Sequence, residues 1–412
     1  MGEGTCGEQK KTEEDNIPLM GSHLDSVPTS GIIRIRDLMF SVERPFRLDQ
    51  GDVSFDAPDT LKAAMKAAID ANCSHYLQTT GLPRLQQLLS QKLRRVNSIP
   101  VGSDDEVLLT SGGVHALYLS CQSMVEPGDE VLIPDPVWPQ MLSSLVAAGA
   151  TPVRVPLRES LGWRFDLDEL ASRVTPKTRG MYVNSPGNPA GGVFTRADTE
   201  RIAAIARDRD LWVIADEAYE DVVFDGREHV CIASLPGMYE RTSSIFTFSK
   251  TYAATGLRIG YLVTGQAAWR ARVTKLLGMT INNVSSVVQY GGIGVLEGDQ
   301  AIVGRYRAEL QARRDIFYAG IREAAGHVFA GDPPAGAFYA FLRVDPSWTP
   351  PAGSATASRS WAMVEHLIGH GRIGCVPGVE FGPASEGHVR FCFARERGEL
   401  EGALGEMRTL FA

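Results

Sequence analysis

The stretch "SSIFTFSKTYAATGLRIGYLVTG", residues 243–265, sets two short, β-rich apolar runs on either side of a single lysine, Lys250. Similar runs recur through the middle of the chain: "EVLLT" (106–110), "EVLIPD" (130–135), "TPVRVPL" (151–157), "RGMYVN" (179–184) and "LWVIADE" (211–217). Runs this apolar mark strands buried on both faces, and helical stretches such as 195–209 separate them. This order predicts an α/β fold built on a mostly parallel, mixed sheet flanked by helices. In such sheets ligands gather beyond the carboxyl ends of the strands. From about residue 300 the rhythm changes to a long helix (300–325), "GAFYAFLRV" (336–344), a helix around 359–370 and "HVRFCFA" (388–394). That succession predicts a smaller α+β domain.

The chain has 412 residues, 44% hydrophobic and 22% charged, too long for one simple core. The expected division is a polar tail at 1–28, a segment at 29–58 joining the small domain, a large domain at 59–300 and a small domain at 301–412. A net charge of −8 argues against a nucleic-acid or anionic-membrane surface. No apolar stretch reaches the roughly 18 residues of a membrane helix, and the opening lacks a signal peptide's basic-then-apolar build. "MGEGTC" approaches an acylation signal, but Cys6 occupies its hydroxyl position. The six cysteines are scattered, with no close pair, which suits a reducing cytoplasm. The expectation is a soluble cytoplasmic protein whose partners are small molecules or copies of itself.

Three polar groups follow directly on apolar runs: Ser111 with Gly112 and Gly113, then Asp216, then Lys250. On parallel strands they converge on one rim. The glycine pair opens a helix and leaves backbone N–H groups for a phosphate, although a plain tight turn uses the same residues. Asp216 ends a buried strand, where a carboxylate needs a cation, a strong donor or a helix to cap. Lys250, among apolar neighbours, is pushed toward its neutral, nucleophilic form, unless it snorkels to the surface. Together they describe one ligand: an aldehyde for Lys250, a protonated ring nitrogen for Asp216, and a phosphate for Gly112, Gly113, Thr247, Ser249 and Arg258. That ligand is pyridoxal 5′-phosphate.

With "NSPGNPAGGVF", "IADEAYED", "SKTYAATGLRIGY", "GAFYAF", "VPGVEFG" and "GHVRFCFA" in this order, the chain from about residue 30 onward resembles the class I/II aminotransferases, fold type I enzymes that use pyridoxal phosphate. The resemblance implies transfer of an amino group between an L-amino acid and a 2-oxo acid in ping-pong half-reactions, with Lys250 as the Schiff-base lysine and proton shuttle. It further implies that Asp216 keeps the pyridine nitrogen protonated. Asn188 and Tyr219 would bond the cofactor's phenolic oxygen, and Trp138 would stack on its ring. Val114 falls in the phosphate segment "TSGGVHAL". Arg390 would clamp the substrate α-carboxylate, whose planar fork an arginine matches. Gly51 and Gln50 would line the substrate side, and Tyr76 would reach the phosphate of a neighbouring subunit, making a homodimer with shared sites.

Some residues depart from that pattern. Asp49 and Gln50 stand where relatives carry small or apolar side chains, which admits a polar or basic substrate. "LLGMTINNVSS" (276–286) lacks the arginine with which one branch grips dicarboxylates. His115 reads as a helix-surface residue. "GGIGVLEG" (291–298) misses dinucleotide spacing and reads as close helix packing, and His366 and His370 lack the glutamate of a zinc protease, so no metal is expected. Elimination, cyclisation, decarboxylation or oxidation of an amino acid is the alternative on the same scaffold. A non-catalytic DNA-binding regulator is disfavoured, because no DNA-binding module precedes the domain.

Overall fold

The computed structural model describes residue 22 and residues 24–350 and 356–412. Most of the expected tail, and the middle of the loop expected over 346–360, lie outside these residues. Eight strands, β1 (Val107–Thr110), β2 (Glu130–Asp135), β3 (Thr151–Arg158), β4 (Arg164–Phe165), β5 (Thr178–Asn184), β6 (Trp212–Asp216), β7 (Thr242–Thr247) and β8 (Gly260–Val263), form one sheet in the order β1-β8-β7-β6-β5-β2-β3-β4. The pairs joining β7, β6, β5, β2 and β3 are parallel. Strand β8, grouped by its apolar run with the parallel strands, runs antiparallel to both β7 and β1. The link from β7, residues 248–259, holds a helical turn of 4 residues and no crossover helix, so the chain must reverse.

Burial explains the lack of alternation in the central runs: every residue of β1, β7 and β8 is buried. On one side Ala116, Leu117, Met141 and Leu277 pack against Ile214, Ile245 and Leu262; on the other Ile202, Ala203 and Ala206 meet Met181, Val213 and Ala215. The first three glycines of "GGIGVLEG" lie in helix Ser286–Glu297, against helix Asp59–Asp70, and the last caps its end. A Cβ on Gly291 would sit 2.6 Å from Cγ of Met65, so close packing accounts for this glycine.

A second sheet, β9 (Phe329–Ala330), β10 (Tyr339–Val344), β11 (Val376–Pro377) and β12 (His388–Cys392), is antiparallel throughout, in the order β11-β12-β10-β9. Phe317, Leu367, Phe391 and Leu400 fill its core together with Ile35 and Met39 of helix Gly31–Phe40. The N-terminal segment is fastened there by backbone bonds from Phe46 to Arg372 (2.9 Å) and from Cys392 to Leu48 (2.7 Å). Glu380 accepts the Gly31 N–H at 2.7 Å at the start of that helix, where an anion also meets the positive end of the helix dipole. Residues 47–52 are thereby laid across the strand ends of the large sheet.

Candidate active site

The carboxyl ends of β1, β6 and β7 open on a cavity of about 440 Å³, within the usual range for small-molecule sites. Its walls include Asp216, Tyr219, Thr247, Ser249, Lys250 and Arg258 from the large sheet's rim. Gln50 and Gly51 enter from the N-terminal segment, and Arg390 comes from β12. Gly113, Val114, Trp138 and Asn188 complete the expected set found there. Gly112 lies just behind the wall: its φ is +79°, and a Cβ on it would stand 2.5 Å from Nη2 of Arg258. Tyr76, by contrast, is 85% exposed and does not line this cavity.

Lys250 is half-buried, and its ammonium donates to the carbonyl of Gly51. Burial is the largest influence on it, opposed by Asp52 and Cys392 and reinforced by Arg390 and Arg258; its pKa falls to about 8. Asp216 faces the same space. Its carboxylate accepts from the Tyr182 hydroxyl at 2.8 Å and from the Ala218 N–H at 3.2 Å. Burial raises its pKa above the ordinary carboxylate value, and the neighbouring charge of Glu217 adds to the rise against the lowering by those bonds and by Lys250.

Arg390 reaches over from the small sheet. It donates to Asn188 Oδ1 (2.9 Å) and to the carbonyl of Asp49 (3.0 Å), and lies 4.3 Å over the Tyr339 ring. Its Nε is buried with no partner, an unmet donor beside the cavity. The Thr247 hydroxyl bonds that of Ser249 at 2.9 Å, and Arg258, held in the left-handed region at φ +54°, donates to the Thr255 carbonyl at 2.7 Å. Tyr219 and Tyr339 join hydroxyls at 2.8 Å.

Several residues of the site were not anticipated. Asn184, the register partner of Asp216, donates to the Asp216 carbonyl at 2.9 Å and accepts the Asn188 N–H at 2.8 Å. It ends an apolar strand as Asp216 does, so the same signal marks it. Tyr182 and Tyr339 carried no such signal, since each is one aromatic within a buried strand. The polar pocket expected from Asp49 is not formed by its carboxylate. Arg47 holds both oxygens, at 2.9 and 3.0 Å, and only the Asp49 backbone turns to Arg390. His115 is half-buried, with Nδ1 accepting the Ser111 N–H at 3.2 Å, and so secures the turn at the helix start.

A family model described as aminotransferase class I and II matches residues 43–406. The chain is 33% identical over 396 residues to an aspartate aminotransferase of Pyrococcus abyssi, covering 95% of this chain and 98% of the relative. It is equally identical, with the same coverage, to aromatic-amino-acid aminotransferase 2 of Thermococcus litoralis. Among solved structures, the aromatic aminotransferase of Pyrococcus horikoshii superposes with a TM-score of 0.83 at 33% identity, covering 91% of this chain and 98% of that one.

Proposed function

The chain belongs to the class I and II aminotransferase family, and from that premise we propose that the cavity moves an amino group from an L-amino acid to a 2-oxo acid with pyridoxal 5′-phosphate as its cofactor. The observation that carries this reading is the pairing, in one cavity, of a half-buried lysine whose pKa lies near 8 with a buried aspartate. The donor set also fits the group. A Cβ-free approach at Gly112, the N–H groups opening its helix, the Thr247 and Ser249 hydroxyls and the Arg258 guanidinium make an anion cradle suited to phosphate. Trp138, Asn188 and Tyr219 line the same cavity, where Trp138 would stack on the ring and Asn188 and Tyr219 would hydrogen-bond its phenolic oxygen.

When bound, the cofactor supplies an aldehyde that condenses with amines and a ring that accepts the electron pair left by breaking Cα–H. Lys250 Nζ would hold that aldehyde at rest and, as a neutral amine, would move the proton of the substrate Cα. At pH 7 a pKa of about 8 leaves about a tenth of this amine neutral, far more than an exposed lysine keeps. Asp216 holds a proton on the ring nitrogen, and the Tyr182 hydroxyl fixes its carboxylate for that task. Arg390 orients the substrate by its α-carboxylate, which gives the orphaned Nε a partner.

The proposal extends to the assembly. Domains at 59–300 and 301–412, the second joined by 29–58, would bring Arg390 against the large domain's rim. A homodimer would let the exposed Tyr76 serve a neighbour's phosphate, and the cytoplasm would supply the substrates.

Half-reactions test this reading. Loaded protein given a panel of single amino acids is expected to release about one equivalent of 2-oxo acid per site and stall until an acceptor 2-oxo acid is added. Release of ammonia or carbon dioxide instead would overturn it in favour of another reaction on the scaffold. In the same assay Arg390→Ala is expected to lower kcat/KM about 10²- to 10³-fold through a buried charge pair lost. Gly112→Ala, strained at φ +79° and pressing on Arg258, is expected to weaken cofactor affinity by about tenfold or more, read by titrating the apo protein with pyridoxal phosphate.

A further inference from the structure

Behind Asp216, on the far side of β6, lies a second buried charge group that the reaction does not touch. Glu217 follows Asp216 on a strand-like step: its N–H still bonds the Ile245 carbonyl of β7 at 2.9 Å. Successive side chains in such a run point to opposite faces, so Glu217 turns away from the cavity. It is 3% exposed, and its Oε1 has no hydrogen-bond partner. Its other oxygen meets His229 Nε2 at 2.8 Å. Asp216, Glu217 and His229 line one small internal void.

The neighbouring charges are otherwise committed. Glu220 is ion-paired with Lys92 and bonded by Asn97, both supplied by helix Pro83–Arg95 and the turn after it. Asp221 accepts from Thr251 at 2.8 Å. Cys231 is buried beside Asn97 Nδ2 at 3.2 Å and also lies within 4.8 Å of the Glu217 carboxylate and the His229 ring, but burial and Glu217 push its thiol well up and it adds no charge; Tyr182 from β5 and Lys250 after β7 face Asp216 instead of Glu217. Among the described residues His229 is therefore the one basic partner of Glu217 in an ion pair. An unpaired buried anion this close to Asp216 would favour the protonated form of Asp216, as like charges do.

We propose that His229 is a positioning residue for the reaction: as an imidazolium it cancels the buried charge of Glu217, and so keeps Asp216 ionised for the cofactor's ring nitrogen. The inference rests on the role given to Asp216 above. Burial alone would lower the imidazole's affinity for its proton; the bond and charge of Glu217, helped by Glu220 and Asp221, reverse this and leave the His229 pKa raised. Neither residue touches substrate or cofactor.

Three variants test it by sign. H229Q strands the Glu217 charge; its affinity for pyridoxal phosphate is expected to fall about tenfold or more, and the acid limb of its kcat/KM profile to move up by about one pH unit. E217Q removes the anion and lets His229 go neutral, so the acid limb is expected to stay near that of wild type. The double variant E217Q/H229Q is expected to recover most of what H229Q loses. A purely structural pair gives the opposite order, the double variant being no better than H229Q, and that result would overturn the proposal, as would an H229Q protein with wild-type affinity and profile. Should H229Q fail to fold, imidazole titration by NMR on the apo protein decides. Of the eight histidines, His229 is expected to titrate above the ordinary value in wild type and below it in E217Q. An unchanged midpoint refutes the pairing. These readouts remain distinct from failure of the proposed reaction, which would show as wild-type protein that forms no 2-oxo acid from any donor.

Discussion

Lys250→Ala protein is expected to fold, to bind pyridoxal phosphate through its remaining contacts, and to turn over on the order of 10⁴-fold more slowly or worse. In the proposed reaction Lys250 has two tasks for one nitrogen: it would hold the aldehyde at rest and move the Cα proton afterwards. Among the described residues no other amine lines the cavity, and the guanidiniums of Arg258 and Arg390 are not nucleophilic amines and can do neither. The fold has little reason to object. Removing a half-buried ammonium with a pKa pulled down to about 8 takes away a group whose charged form burial disfavours. The pH dependence carries the same logic. The rate at which the apo wild type takes up the aldehyde should rise as pH climbs through about 8, because only the neutral amine attacks. Visible absorbance on adding cofactor, stopped-flow uptake across pH and single-turnover 2-oxo acid release are the measurements. Wild-type turnover in the variant would refute the assignment.

Much of this was legible because the informative residues stand at the ends of apolar runs. Asp216 and Lys250 are conspicuous as charges where burial should forbid them, and a strand-end charge is costly wherever it stands. What the chain order conceals is contact across distance. Tyr182 lies 34 residues before Asp216 and reads as an ordinary strand aromatic, yet its hydroxyl is the side-chain donor that fixes the carboxylate. The Arg47 bond to Asp49 is local, two residues apart, but its effect depends on which way the segment turns against β12. Pattern alone therefore placed Asp49 at the cavity, where it lies, but could not tell that its backbone carbonyl and not its carboxylate meets Arg390. The antiparallel course of β8 was concealed for a similar reason, since an apolar strand looks alike in either direction and only the short link after Lys250 decides it.

Asp216→Asn carries the second largest expected loss, about 10²- to 10³-fold in kcat/KM, the cost of removing one member of a buried charge pair. Asparagine keeps the shape and can still accept the Tyr182 hydroxyl, so the fold and the 2.8 Å contact should survive. What it cannot do is hold a proton on the ring nitrogen. Without that proton the ring is a poorer sink for the electrons of the broken Cα–H bond, and the loss should fall on kcat. Substrate binding through Arg390 is untouched, so KM should change little. A pH profile separates this from a loss of shape. In wild type, activity should decline as pH drops through the pKa of Asp216, which burial sets above the ordinary carboxylate value, because the aspartate must be ionised to work. In Asp216→Asn that acid limb should vanish while a low plateau remains. A variant that keeps the limb, or keeps wild-type kcat, would mean that another group governs the ring nitrogen.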